Sequence, residues 1–275
     1  FQVFDGNAQN AVFLGTCVII LTTIINVVGV KLMAAINNIG VAAELVGVAL
    51  IIFLLLFHIK RGPEVLVTTQ GAGPGLPGYA WLGLLAPLLM AAVMPAWVLF
   101  GFDTAGSLAE ETKNPRKTTP RALLQALAAA GIAGLVILLL ALLTADSLDL
   151  VELGSGGLPA VLQSALGSTL GKILLVDVAF AMFICALAIQ TGSMRLAFSM
   201  ARDHALPFGE RLAHVSETRQ SPAAPAVISG IVAIGILVIN VGNPLIYLVI
   251  TSVAIVVVYL AYLLAAIDRA IASDA

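Results

Sequence analysis

Residues 95–120 read PAWVLFGFDTAGSLAEETKNPRKTTP. An apolar run enters this stretch and meets Gly101, Asp103 and Gly106 where a helix in lipid should stay oily. It then leaves through Glu110 and Glu111 into a short basic turn. A carboxylate and two helix-weakening glycines inside a span are costly in hydrocarbon, so they must face protein or a watery cavity. Pro95 and Gly101 bracket Trp97 and Phe100 in a segment poorly suited to a continuous helix. Unwinding there frees carbonyls and N–H groups to bind a polar solute at membrane depth. Trp97 adds an aromatic face for a cation or an apolar group, although alone it would read as helix packing. A competing reading puts Asp103 at the membrane interface, where a carboxylate is cheap. Glu110 and Glu111 lie two turns further on, about 11 Å at 1.5 Å per residue, which keeps Asp103 inside the membrane margin.

Composition sets the class. Hydrophobic residues make up 60% of the 275 and charged residues 10%, against about a quarter charged in an average soluble domain. Such a chain cannot cover a water-facing surface, so it reads as an all-α polytopic membrane protein. A net charge of −2 with no basic tract gives nucleic acid no footing. Cys17 and Cys185 sit in apolar runs and read as free, buried thiols, and His58, His204 and His214 form no ligand cluster, so no metal is expected. The chain starts at Phe1 without the flanks of a signal peptide and reads as a piece of a longer polypeptide.

A span needs about 20 apolar residues, and seven segments qualify: 11–30, 32–57, 79–107, 122–145, 173–200, 223–239 and 245–267. Thr119 and Pro120 are placed to cap and start the fourth, and the motif at 240–244 (NVGNP) divides the last two. Of the 13 Lys and Arg residues, ten fall at one set of span ends and three (Lys60, Arg61, Lys172) at the other. Under the positive-inside rule the richer side is cytoplasmic, so the N-terminus lies outside and the C-terminus inside. The Gly/Pro-rich run at 70–78 lacks the Lys-Ser/Thr of a phosphate loop and reads as a linker. Residues 145–170, with Asp146, Asp149, Glu152 and a GSGG run, read as a solvated loop.

Other polar residues fall inside spans. Glu44 sits mid-span in VAAELVGV with no charge within a helical turn. There it carries a proton, holds a cation such as sodium, or makes a structural hydrogen bond to a neighbouring helix. Asp177 lies near Lys172, which favours an interfacial ion pair. Gln190, Thr191 and Ser193 offer neutral oxygens that either coordinate an ion or bond their own helix. No nucleophile and base are spaced for catalysis.

The segment GFDTAGSLAEETKNPRKTTPRA (101–122) resembles the sixth span and following loop of the amino acid–polyamine–organocation permeases. The segment SMRLAFSMARDHALPF (193–208) is similar to the end of that superfamily's eighth span and its loop. Both fall in order, and the likeness extends over the whole chain as family spans four to ten. It implies a LeuT-like twelve-helix fold of two inverted five-helix repeats, with a discontinuous sixth helix around the substrate. Residues 1–275 are then a single transmembrane domain, with 11–57 ending the first repeat and 79–267 forming the second. By this resemblance the cavity aromatic falls on Trp97, substrate-facing carbonyls fall on Trp97 and Phe100, and the inner gating or proton-sensing acid, counted with the ion- and proton-coupling residues, falls on Asp103. Gly101 and Phe102 complete the substrate-binding set. Glu44 stands where several relatives carry a Lys, a reversal of charge that leaves H⁺ or Na⁺ as the coupling ion, with Thr191 as a further ligand. Spans one to three and eleven to twelve lie outside the chain.

The reading that results is a secondary-active carrier for amino acids or related organic cations, working by alternating access in the plasma membrane. Its partners are a small-molecule substrate, the lipid bilayer and helices from the rest of the polypeptide, with no cofactor and no enzymatic activity. The alternatives are a non-transporting scaffold or sensor that retains the permease fold, an inactive truncated permease and, more distantly, a membrane-embedded enzyme.

Overall fold

The computed structural model describes residues 7–67, 83, 85–107, 109, 112–148, 150–207, 209–215, 221–239 and 244–273. In lipid every backbone polar group must be satisfied inside the chain, and most of the described residues are accordingly helical. The helices are α1 (Asn7–Val28), α2 (Val30–Leu56), α3 (Leu85–Val98), α4 (Thr104–Ser107), α5 (Pro115–Thr144), α6 (Leu150–Arg202), α7 (Gly209–Leu212), α8 (Ala223–Ile239) and α9 (Pro244–Ser273). Five of them, α1, α2, α5, α6 and α9, hold an apolar stretch long enough to cross a bilayer. Two shorter apolar helices, α3 and α8, complete the seven segments expected. Their outward faces carry Ile39, Leu45, Leu135 and Val256, as hydrocarbon requires. The chain is an integral membrane protein.

Several boundaries fall elsewhere than the sequence suggests. α1 and α2 meet at Gly29, whose φ of 147° only glycine takes easily, rather than at Lys31. α5 starts at Pro115, not at Pro120. Asn114 adopts a left-handed conformation (φ 53°), its carbonyl accepts the N–H groups of Lys117 (3.0 Å) and Thr118 (3.1 Å), and Pro115 takes the first helical position. Pro120 is therefore inside the helix, and Thr119 is not its cap. Both cysteines are free, as expected, but lie exposed on the bundle surface instead of buried. A thiol is apolar enough to face lipid at little cost.

The largest correction concerns residues 145–170. Instead of a solvated loop, α6 begins at Leu150 and bends at Gly157 (φ 53°) and Gly167 (φ 78°). The piece between these bends is amphipathic. Leu158, Val161, Leu162, Ala165 and Leu166 recur at helical spacing, and Leu162 is fully buried with Ile51, Leu55, Leu140 and Leu174. The chain returns on itself at buried Gly171, where an added Cβ would lie 3.0 Å from Gln163 Cα. The segment thus caps one end of the bundle. At the same end the N–H groups of Lys60 and Arg61 share the Leu143 carbonyl (2.9 and 3.0 Å), and the Arg61 guanidinium donates to the Ala145 and Asp146 carbonyls (2.8 and 2.7 Å). Lys60 pairs with Asp146 at 2.5 Å. That hydrogen bond, and then one from Ser164, hold the Asp146 carboxyl below its usual range. Since the folded value is the depressed one, the tie persists at neutral pH and is lost as pH falls through it.

Small residues set how closely helices approach. α2 packs mainly on α6, antiparallel to it, with Gly40 facing Ile184 and Gly47 facing Asp177. At each glycine an added Cβ would collide with the opposing side chain. Asp177 is therefore turned toward α2, and the expected ion pair with Lys172 does not form. α1 lies against α2, α6 and α8, while α3 packs on α5 and α9.

Gly40→Ala should lower stability by about 1–3 kcal/mol, because buried Ile184 has little room to yield. Ile184→Ala in the same chain should recover part of the loss. Gly235→Ala, in open space, should change it little. Thermal unfolding in detergent measures all three.

Candidate functional site

α3 ends at Val98, three residues after Pro95, which removes an N–H from its ladder. The Leu99 N–H still reaches the Pro95 carbonyl (3.0 Å), but the Phe100 N–H turns to Trp97, three residues back, at 3.3 Å. Gly101 then adopts φ 87°, a conformation that costs a residue with a Cβ about 1–2 kcal/mol. The Thr104 N–H closes on the Gly101 carbonyl (3.1 Å) and starts α4. The helix is thus interrupted over residues 99–103. Among the described residues no backbone N–H donates to the carbonyls of Val98, Leu99 or Phe100. The expected span 79–107 is therefore α3, a turn and the short α4, while Glu110 and Glu111 lie outside the described residues.

The candidate residues around the break fall close together. The Trp97 and Phe100 rings meet edge to face, with centroids 5.5 Å apart, and both are half-buried. Phe102 lies 5.4 Å from the ring of Tyr262 on α9. The Asp103 carboxylate is exposed and accepts a hydrogen bond from the Tyr262 hydroxyl at 2.8 Å. One turn earlier on α9, the Tyr259 hydroxyl donates to the Ala96 carbonyl at 3.1 Å. That carbonyl is the one left without a helical donor when the Phe100 N–H turned away. Two tyrosines three residues apart, with rings 5.7 Å from each other, therefore bracket the break from one helix face. The sequence signal for them is weak, two phenols three apart in an uncharged span that also holds Tyr247, Thr251 and Ser252.

A cavity of about 620 Å³ adjoins the break, between α3, α5 and the cap of α6. Val98 and Leu99 line it from α3, Gly134 and Leu138 from α5, and Leu158 and Val161 from α6. Its walls are apolar. Gly134 lets α5 approach α3 closely, since a Cβ there would lie 3.0 Å from Val98. The chamber meets the break at Val98 and Leu99, whereas Asp103 and the rings of Trp97, Phe100 and Phe102 lie outside its lining.

Glu44 lies away from this break, half-buried on α2, which contacts α1, α5 and α6 but not α3 or α4 among the described residues. Its charged neighbour is one that the sequence did not supply. Asp177, packed on Gly47 one helical turn along α2, places a second carboxylate within its field. Thr191 is buried, its hydroxyl 2.7 Å from both Asn26 Oδ1 and the Leu187 carbonyl. It belongs to a polar knot between α1, α6 and the start of α8. Asn26 Nδ2 donates to the Thr22 carbonyl (3.0 Å), and Ser221 donates to the Asn26 carbonyl (2.6 Å). Gln190 donates to Thr23 Oγ1 at 2.6 Å. Gly192, next to Thr191, lets α6 touch Thr104 just past the break, where an added Cβ would sit 3.1 Å from its methyl. Thr191 is thus close to α4 through its neighbour, and Glu44 is not.

The profile of the family described as amino acid permease matches residues 1–269. The chain is 24% identical over 266 residues to the amino-acid permease BAT1 of Arabidopsis thaliana, an alignment covering 92% of this chain and 50% of that protein. It is 25% identical to the serine/threonine exchanger SteT of Bacillus subtilis, covering 92% and 54%. To the methylthioribose transporter of the same bacterium it is 27% identical, covering 84% and 47%. The chain spans about half the length of these curated relatives.

Gly101→Ala should cost about 1–2 kcal/mol through its backbone alone, since its Cβ would meet nothing closer than Thr104 Oγ1 at 3.9 Å. Gly106→Ala, where the backbone carries no positive φ and nothing lies within 4 Å, should be nearly neutral. Paired melting curves test the contrast, and equal effects would contradict the break.

Proposed function

Because the chain belongs to the amino acid permease family, we propose that it forms the central part of a secondary-active carrier for amino acids or related organic cations, working by alternating access. The observation that carries this reading is the interruption at 99–103, which exposes main-chain acceptors inside a membrane bundle. An ammonium group donates to such carbonyls as an amide would, without a buried counter-charge. Trp97, Phe100, Gly101, Phe102 and Asp103 form the substrate site, with the Asp103–Tyr262 hydrogen bond closing its inner end. Residues 11–57 complete one inverted repeat and 79–267 form the other. The N-terminus lies outside and the C-terminus in the cytoplasm, in the plasma membrane.

Coupling is assigned to Glu44. It sits mid-span one helical turn from Gly47, against which the Asp177 carboxylate lies, and an isolated acid at that depth takes up a proton or a sodium ion. Thr191 supplies an oxygen to an ion only by giving up its bond to Asn26.

Uptake of labelled amino acids into proteoliposomes tests this. Trp97→Ala should raise KM about tenfold or more, and Glu44→Gln should flatten the dependence on external pH or sodium. Uptake unaltered by both substitutions would rule out these roles. Binding without flux would favour the scaffold or sensor alternative.

A further inference from the structure

We propose that the Tyr259 hydroxyl is a placeholder ligand, a donor that occupies the Ala96 carbonyl in the empty carrier and lets the unliganded break survive in lipid. The inference rests on the transport reading above, and names a positioning residue on a helix that reading does not use for binding.

The argument starts from Ala96. In an unbroken helix its carbonyl would accept the Phe100 N–H, but that group is committed to Trp97 at 3.3 Å. An unmet carbonyl away from water costs about as much as a lost hydrogen bond, often more. The Tyr259 hydroxyl fills the vacancy from α9, 163 residues further along the chain, at 3.1 Å. Its position follows from packing, because α9 lies on α3 and the rings of Tyr259 and Tyr262 support each other edge to face. The bond is exposed at its edge rather than sealed in a core, so it can be exchanged.

Exchange is what a carrier requires of such a bond. A substrate ammonium arriving at the break brings donors of its own, and the phenol can then release the carbonyl. When the substrate leaves, the phenol returns, and the Ala96 carbonyl is not added to the open acceptors of the break as the empty protein reorients. Without the hydroxyl, the loaded protein keeps its donors but the empty one does not. The return of the empty carrier should therefore suffer more than exchange, in which the site is refilled before it reorients.

Tyr259→Phe keeps the ring and removes only the hydroxyl. In proteoliposomes it should lower the ratio of net uptake into empty vesicles to exchange into preloaded vesicles about tenfold relative to the parent chain. A ratio unchanged within twofold, with both rates intact or both reduced together, would overturn the placeholder. Should the parent chain show neither net uptake nor exchange, the transport reading fails and a second measurement decides this one. Hydrogen–deuterium exchange of peptides covering residues 95–104 in the purified, ligand-free chain should be several-fold faster in Tyr259→Phe. Equal exchange would show that the hydroxyl pins nothing, and would refute the proposal independently of any flux.

Discussion

A carbonyl or N–H without a partner is tolerable in water and expensive in hydrocarbon, and this asymmetry governs the whole molecule. Helices discharge the debt locally for most of the described residues. Residues 99–103 depart from this inside an apolar segment, where proline, glycine and a carboxylate make a regular ladder untenable. That gap persists because other helices come to it. α9 brings two phenols, one to a stranded carbonyl and one to the carboxylate. α6 brings Gly192, which lets it lie directly on Thr104 as the helix resumes. The surrounding packing can be understood as what a broken helix needs in order to remain in a bilayer.

The bundle uses its polar groups in two ways. Between α1, α6 and α8, Asn26, Thr191 and Ser221 are buried and committed to one another at 2.6–2.7 Å. Interhelical hydrogen bonds of this kind contribute about 0.6 to 2 kcal/mol each in membranes, and these tie three helices into one unit. Around the break the polar contacts are exposed at their edges and made by hydroxyls and a carboxylate that a solute can replace. One side is built to hold its geometry, and the other to trade partners. The close glycine contacts of α2 on α6 extend the first side and bring Glu44 and Asp177 into one field.

Much of this was legible in the sequence. Apolar run length gave the spans, and the Pro95–Gly101 spacing marked the interruption, because both depend on residues adjacent in the chain. The misjudged elements depended on distant partners or on weak local rules. Residues 145–170 read as a loop because their acids and glycines masked the helical recurrence of Leu158, Val161, Leu162 and Ala165, which only the core beneath them makes decisive. By spacing Asp177 pairs with Lys172 on its own helix, whereas Gly47 on another helix gives its carboxylate a place to lie. Pro120 reads as a helix start because it follows a threonine, yet Asn114 can adopt the left-handed turn that starts the helix earlier. The tyrosines carry little local signal for the same reason as Asp177, since what they touch lies 163 and 159 residues away.

The interruption itself is the claim on which the rest stands, and cysteine accessibility measures it most directly. Single cysteines placed in turn at positions 94–106, with Cys17 and Cys185 replaced by serine, would be reacted with a charged, membrane-impermeant thiol reagent in proteoliposomes. The account expects consecutive reactive positions from 99 to 103, without the three-to-four-residue rhythm of a helix face. A helical rhythm continuing through 99–103, or uniform protection there, would contradict it.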